Sequence, residues 1–147
     1  MDKNQTPIIQ VKDLRIQIKM DEGTLTPVRG VSFDIRPGET LGLVGESGCG
    51  KSLTSKAILA INDKKCAASG EILFRNDRNE ETDILKLDPR GREIMDIRGR
   101  QISMIFQEPM VAFSPMYTIG NQINECTRLH ITRDKKASRQ ISLEMMK

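Results

Sequence analysis

Gly45-Glu46-Ser47-Gly48-Cys49-Gly50-Lys51-Ser52 matches the pattern G-x-x-x-x-G-K-[ST], a loop whose backbone N–H groups cradle phosphates. Its flanks suit that reading. Thr40-Leu41-Gly42-Leu43-Val44 leads in as a short apolar run with the character of a buried strand, and Leu53, Ala57, Ile58 and Ile61 lead out at helical spacing. A strand-to-helix junction points successive amides and a helix N-terminus at one place, where a polyphosphate can be held. The residue types follow from that task. Gly45, Gly48 and Gly50 allow close wrapping of the main chain and positive φ. Glu46, Ser47 and Cys49 contribute amides at positions the pattern leaves free. Lys51 brings a mobile positive charge to the β and γ phosphates, Ser52 a hydroxyl for Mg²⁺, and Leu53 a backbone N–H for the α-phosphate. The expected ligand is a nucleoside triphosphate.

At 147 residues the chain has the length of one domain, able to bury roughly 68–70% of its unfolded surface. Its formal charge, 23 − 20 = +3, is mild, and no dense basic stripe argues for nucleic acid. Tyr117 and four phenylalanines (Phe33, Phe74, Phe106, Phe113) are the only aromatic residues, too few for base-stacking platforms. Cys49, Cys66 and Cys126 are odd in number and lack a C-x-x-C spacing, so they read as free thiols in a reducing compartment. No apolar stretch approaches the roughly 20 residues of a membrane span. No signal-peptide pattern opens the chain. A cytoplasmic protein that docks on a membrane partner fits these features.

Periodicity sets out the remaining elements. Leu14, Ile16, Ile18 and Met20 alternate with polar residues, Asp21-Glu22-Gly23-Thr24 is a turn, and Val31, Phe33 and Ile35 alternate again before a second turn at Pro37-Gly38-Glu39. This is an antiparallel hairpin ahead of the loop. Glu71-Ile72-Leu73-Phe74 is a strand and residues 75–83 a polar loop. Asp88 is placed to cap a helix with Pro89 at its first position, running to Arg98 and stopped by Gly99. Ile102, Met104, Ile105 and Phe106 suggest a strand ending at Gln107-Glu108-Pro109. Thr118 then caps a helix with Ile119, Ile123 and Cys126 on one face, and Thr132 another with Ala137, Ile141 and Met145.

Gly42 to Ser52, together with Ile105-Phe106-Gln107-Glu108-Pro109-Met110 and Pro115-Met116-Tyr117-Thr118-Ile119-Gly120, resemble the ATPase subunits of ABC transporters. The likeness is greatest to those that energise oligopeptide, dipeptide and nickel import, and it extends over residues 8–147. It implies an α/β P-loop NTPase fold of ABC type. Within residues 1–147, taken as an N-terminal part, residues 8–39 would form an antiparallel β-subdomain. Residues 40–108 would form an incomplete mixed α/β nucleotide-binding core, and 109–147 the start of a helical subdomain. Gln107 matches the glutamine that touches Mg²⁺ or its water beside the γ-phosphate; with Lys51 it would be catalytic, and with Ser52 a metal ligand. A neutral amide suits both tasks, its oxygen for a hard cation and its NH₂ for orienting water. Glu108 to Gly120 would meet the cytoplasmic face of transmembrane permease subunits. Met110, Phe113, Met116 and Tyr117 are the apolar groups there, open either to that interface or to packing beneath the helical subdomain.

The resemblance also implies ATP and Mg²⁺ as ligands, a second ATPase subunit as partner, and a place on the inner face of the cell membrane. Two departures qualify it. The first hairpin has no aromatic ring for adenine; Ile18 and Met20 are the nearby alternatives. The signature sequence, the Asp-Glu strand and the switch histidine of the family are absent from the 147 residues, and the single histidine, His130, has the setting of a surface side chain. The expectation is nucleotide binding with negligible hydrolysis by these residues alone, and a longer intact subunit that hydrolyses ATP. The alternatives are a catalytically inactive nucleotide-binding module and an ABC-type ATPase that serves no transporter.

Overall fold

A computed structural model describes residues 5–108 and 113–147, which fall into two units divided between Gln101 and Ile102. In the first unit the hairpin is longer than its alternation suggests. Strand β1 (Ile9–Met20) and strand β2 (Gly23–Ile35) pair antiparallel, β3 (Cys66–Arg75) lies on the other side of β1, and β4 (Glu81–Asp83) pairs with β3. The order is β2-β1-β3-β4.

A bulge explains how β1 keeps one face apolar. Ile9 and Val11 are buried, and so are Leu14 and Ile16, a change from odd to even positions. Strict period-two alternation would send one of these pairs to solvent. Between Val11 and Leu14 β1 carries one residue more than β2 and β3, as the pairs Val11↔Phe33, Leu14↔Val31, Lys12↔Glu71 and Arg15↔Ser69 show. Asp13 sits in that bulge at φ 44°, its amide donating to Ser32 Oγ at 2.8 Å and its carboxylate paired with Arg15 at 3.0 Å. Gly70 faces it from β3 at φ 102°, where an added Cβ would lie 2.5 Å from the Asp13 carbonyl oxygen. The glycine lets the two backbones approach.

The polar stretch 75–83 contains more structure than a loop. Glu81, Thr82 and Asp83 pair with Arg75, Phe74 and Leu73, closing a hairpin through residues 76–80. Polarity marked these residues as solvent-facing, and the edge of a sheet is also solvent-facing. Asp83 then turns the chain. Its Oδ1 accepts from the amides of Ile72 and Leu85, both at 3.2 Å, and its other oxygen pairs with Lys86 at 3.0 Å, which raises the Lys86 pKa above its ordinary value.

Two short α-helices, α1 (Lys51–Ile58) and α2 (Arg92–Ile97), and a single 3-10 turn at Ile84–Lys86 accompany the sheet. The expected start of α2 at Asp88 and Pro89 is corrected. Asp88 makes an Asx turn to the Arg90 amide at 3.0 Å, and Gly91 precedes the helix. The side-chain bond that would cap a helix is used two residues on, in a turn. Core side chains come from the sheet (Leu14, Ile16, Val28, Ile72), from α1 (Ala57) with Leu59 just beyond it, and from α2 (Ile94, Ile97). Each fully buried aliphatic among them is worth about 1.5–3 kcal/mol.

Two expected strands are absent among the described residues. Positions 41–46 have no regular structure, and Ile102 forms only an isolated bridge before residues 103–106, which also have none. Val44 is 95% exposed and Ile105 93%. An apolar run becomes a strand by pairing with a neighbour, and beyond the single bridge at Ile102 no described segment pairs with either run.

The second unit holds α3 (Ile119–His130) and α4 (Lys135–Met145). Thr118 caps α3 as expected, accepting from the Asn121 amide. The cap of α4 is Asp134, not Thr132: Asp134 Oδ1 accepts from the Ala137 amide at 2.7 Å, and Thr132 Oγ1 accepts from the Asp134 amide. A carboxylate at the N-cap is the stronger acceptor and matches the helix dipole. The contact face differs too. Ile119, Cys126 and Met145 are exposed, and the helices meet through the buried hydroxyls of Thr127, Ser138 and Ser142. Thr127 Oγ1 lies 2.5 Å from Ser138 Oγ, which also donates to the Asn124 carbonyl at 3.0 Å. Small hydroxyl residues let two helices approach closely while satisfying one another.

Candidate functional site

The loop Gly45–Ser52 ends at the first turn of α1, so the amides of Lys51, Ser52 and Leu53 are among those with no partner earlier in the helix. Gly50 is the residue preceding that turn. It is buried, has φ 92°, and a Cβ there would lie 2.6 Å from Val28 Cγ2 and 3.0 Å from the Pro27 carbonyl oxygen. The conformation and the contact each demand glycine. Gly48 also has positive φ, 82°, so the chain bends twice in three residues. A Cβ on Gly45 would meet Cys49 Sγ at 2.6 Å. Thr54 ties the first turn to the loop, its amide and hydroxyl donating to the Gly50 carbonyl at 2.9 and 3.0 Å.

Lys51 reaches back over this bend. Its ammonium donates to the carbonyls of Gly45 at 2.7 Å and Glu46 at 2.6 Å and lies 3.4 Å from Cys49 Sγ. A flexible stem thus holds the positive charge against the loop, close to the helix N-terminus. Glu46, Ser47, Gly48, Cys49 and Ser52 are exposed and Leu53 is half-buried. This cluster brings together a cation, free amides, a solvent-facing hydroxyl and a main chain without side-chain bulk. Such a set can bind an anion along its backbone and offer one hard oxygen to a magnesium ion.

The remaining candidates are taken by themselves. Gln107 and Glu108 belong to the second unit and are exposed in a bend. Of the apolar residues after them, Phe113, Met116 and Tyr117 are exposed, and Met110 lies outside the described residues together with positions 109, 111 and 112. Ile18 is half-buried and Met20 exposed near the tip of the first hairpin. His130 is half-buried in the last turn of α3. All three cysteines are free. Among the described residues no helix is long and apolar enough to cross a membrane.

Sequence reasoning missed the support beneath the loop. Val28 and Pro27, which back Gly50, stand in β2 far from the motif. Arg98, whose guanidinium donates to the carbonyls of Leu59 and Ala60, follows α2 with nothing in the local pattern to single it out. Backing and clasping residues of this kind depend on tertiary proximity and leave no local signal.

The family model for ABC transporters matches residues 28–146. A dipeptide transport ATP-binding protein of Bacillus subtilis is 42% identical over 141 residues, covering 95% of this chain and 40% of its own length. The oligopeptide transport ATP-binding protein of the same organism is 38% identical over 143 residues, 96% of this chain and 38% of that protein. A probable peptide ABC transporter ATP-binding protein of Sinorhizobium fredii is 37% identical over 142 residues, with 95% and 40% covered. This chain therefore spans about two fifths of the length of these curated relatives. The match runs from the glycine-backing valine of β2 through the loop and helices α1 to α4, and on that extent the chain belongs to the ABC transporter ATP-binding family, with the P-loop NTPase fold the family carries.

Proposed function

We propose that residues 45–53 bind the triphosphate of ATP and that this chain is the nucleotide-binding part of an ATPase subunit energising the import of dipeptides or oligopeptides. The observation that carries the reading is the loop itself: Gly50 locked against β2, the first-turn amides of α1, and the Lys51 ammonium within one short bend. On binding, Lys51 would exchange its carbonyl partners for β- and γ-phosphate oxygens. The amides from Gly48 to Leu53 would hold the α- and β-phosphates. Mg²⁺ supplies charge neutralisation across the phosphates when bound. Ser52 fits as its ligand, because its hydroxyl is exposed at the helix start and Mg²⁺ takes few protein ligands. Gln107 is proposed as the second ligand and as the residue that orients water.

Hydrolysis is proposed for the intact subunit, acting with a second ATPase subunit. The peptide substrate class is drawn from the relatives, whose names specify dipeptide and oligopeptide transport. Glu108 to Gly120 is proposed as the contact with the permease, on the inner face of the membrane. Calorimetric titration with ATP and Mg²⁺ tests the core of this reading: saturable binding is expected, and Lys51→Ala should weaken it at least about tenfold, about 1.4 kcal/mol. Equal binding by that variant would refute the assignment of the loop.

A further inference from the structure

Helix α1 ends in a strained turn. Ala60 has φ 50°, a left-handed conformation in a residue with a Cβ. The amide of Ile61 donates to the Lys56 carbonyl and that of Ala60 to the Ala57 carbonyl, both at 3.0 Å. This is the Schellman pattern that usually ends on glycine. The carbonyls of Leu59 and Ala60 point out of the turn, and one side chain takes both. Arg98 Nε donates to the Leu59 carbonyl at 2.7 Å and Nη2 to the Ala60 carbonyl at 2.7 Å, while Nη1 reaches the Pro89 carbonyl at 2.9 Å. A planar fork with donors in fixed directions can serve three acceptors at once, which an ammonium or amide cannot do in that geometry. Its positive charge also sits at the negative end of the helix.

We propose that Arg98 is a positioning residue for nucleotide at the loop, an inference that rests on the ATP-binding reading above. α1 has eight residues, about 12 Å of helix, so a clasp at its C-terminal turn sets the direction of the amides at its N-terminus. Three segments meet in the guanidinium: the end of α1, the turn at Pro89, and the end of α2, whose Ile94 and Ile97 are buried. Asn62 adds a neutral contact to the same helix, Nδ2 donating to the Leu53 carbonyl at 3.2 Å. Arg98 directs its donors at the carbonyls of Leu59, Ala60 and Pro89, at the end of α1 away from the loop. Its part is to hold α1 so that the amides of residues 50–53 converge before the ligand arrives, which spares the complex an ordering cost.

The test is ATP·Mg²⁺ binding by calorimetry on the purified protein and on Arg98→Met, Arg98→Gln and Lys51→Ala, each checked for folding by circular dichroism and for its thermal midpoint without nucleotide. Arg92→Met, an exposed residue of α2 outside the clasp, is the control and should bind as the parent does. Arg98→Met is expected to bind about tenfold more weakly while folded. Arg98→Gln, which keeps one amide donor, should fall between. A clasp with a structural role alone would lower the thermal midpoint and leave the affinity of the folded protein unchanged, and that result overturns the inference. If Arg98→Met does not fold, Arg98→Gln decides by the same criterion. Absence of binding by the parent, or undiminished binding by Lys51→Ala, would instead sink the nucleotide reading, and this inference with it.

Discussion

Gly50 carries two demands that a methyl group cannot meet, a φ of 92° and contact with Val28 and Pro27. Gly50→Ala should therefore cost about 1–3 kcal/mol in stability, the range for a strained backbone position. It should also weaken ATP binding, because relief of the clash must shift the amides that follow. Chemical denaturation and calorimetry on one preparation would measure both, and unchanged affinity would show that the loop tolerates the shift. Ala60 is the opposite case. There a left-handed residue already has a Cβ, and glycine removes the penalty, so Ala60→Gly should stabilise the protein by about 1 kcal/mol. The measure is the denaturation midpoint at unchanged m-value. A loss of stability would mean that the greater freedom of glycine in the unfolded chain outweighs the strain.

Among the elements, the pair α3 and α4 is joined by Thr127, Ser138 and Ser142, and removing one hydroxyl leaves its partners buried and less satisfied. Ser138→Ala should destabilise the second unit by about 1–2 kcal/mol. Thr127→Val combined with it should cost less than the sum of the two, since both delete the same bond. Hydrogen exchange of the α3 and α4 amides reads this locally, and strict additivity would argue against a shared network. These helices also show where sequence reasoning reaches its limit. Their existence and the Thr118 cap were legible, because capping and helical spacing are local. Their contact face was not: the apolar positions suggested one stripe, and closely approaching hydroxyls made another. The first hairpin was legible from its alternation and turn residues, but the Asp13 bulge was not, since an extra residue matters only against β2 and β3. The runs at 41–44 and 103–106 had the composition of strands, and composition supplies no pairing partner. The bend of the loop was legible, because its positive-φ glycines and its lysine act through local backbone, whereas the backing of Gly50 by Val28 and Pro27 was not.

For the molecule as a whole, the proposed function raises the question of which surface would pass a nucleotide-driven change to a permease. Phe113, Met116 and Tyr117 follow Gln107 by six to ten residues in the chain and are exposed, Met116 at 83% and Tyr117 at 67%. Exposed thioether and phenol side chains gain most from burial in a partner's groove, the thioether by adapting its shape and the phenol by keeping one polar atom wet. A charge at the same place would have to be buried without a counter-ion, at a cost of several kcal/mol. The double variant Met116→Asp with Tyr117→Asp should then lose co-purification with the proposed permease partner. ATP affinity should stay within about twofold of the parent, a difference under about 0.5 kcal/mol. The thermal midpoint discriminates between the two settings open to these residues. If they pack beneath the helical unit in the intact subunit, the same substitutions will lower the midpoint together with permease binding; if they form the docking surface, the midpoint will hold while the complex is lost.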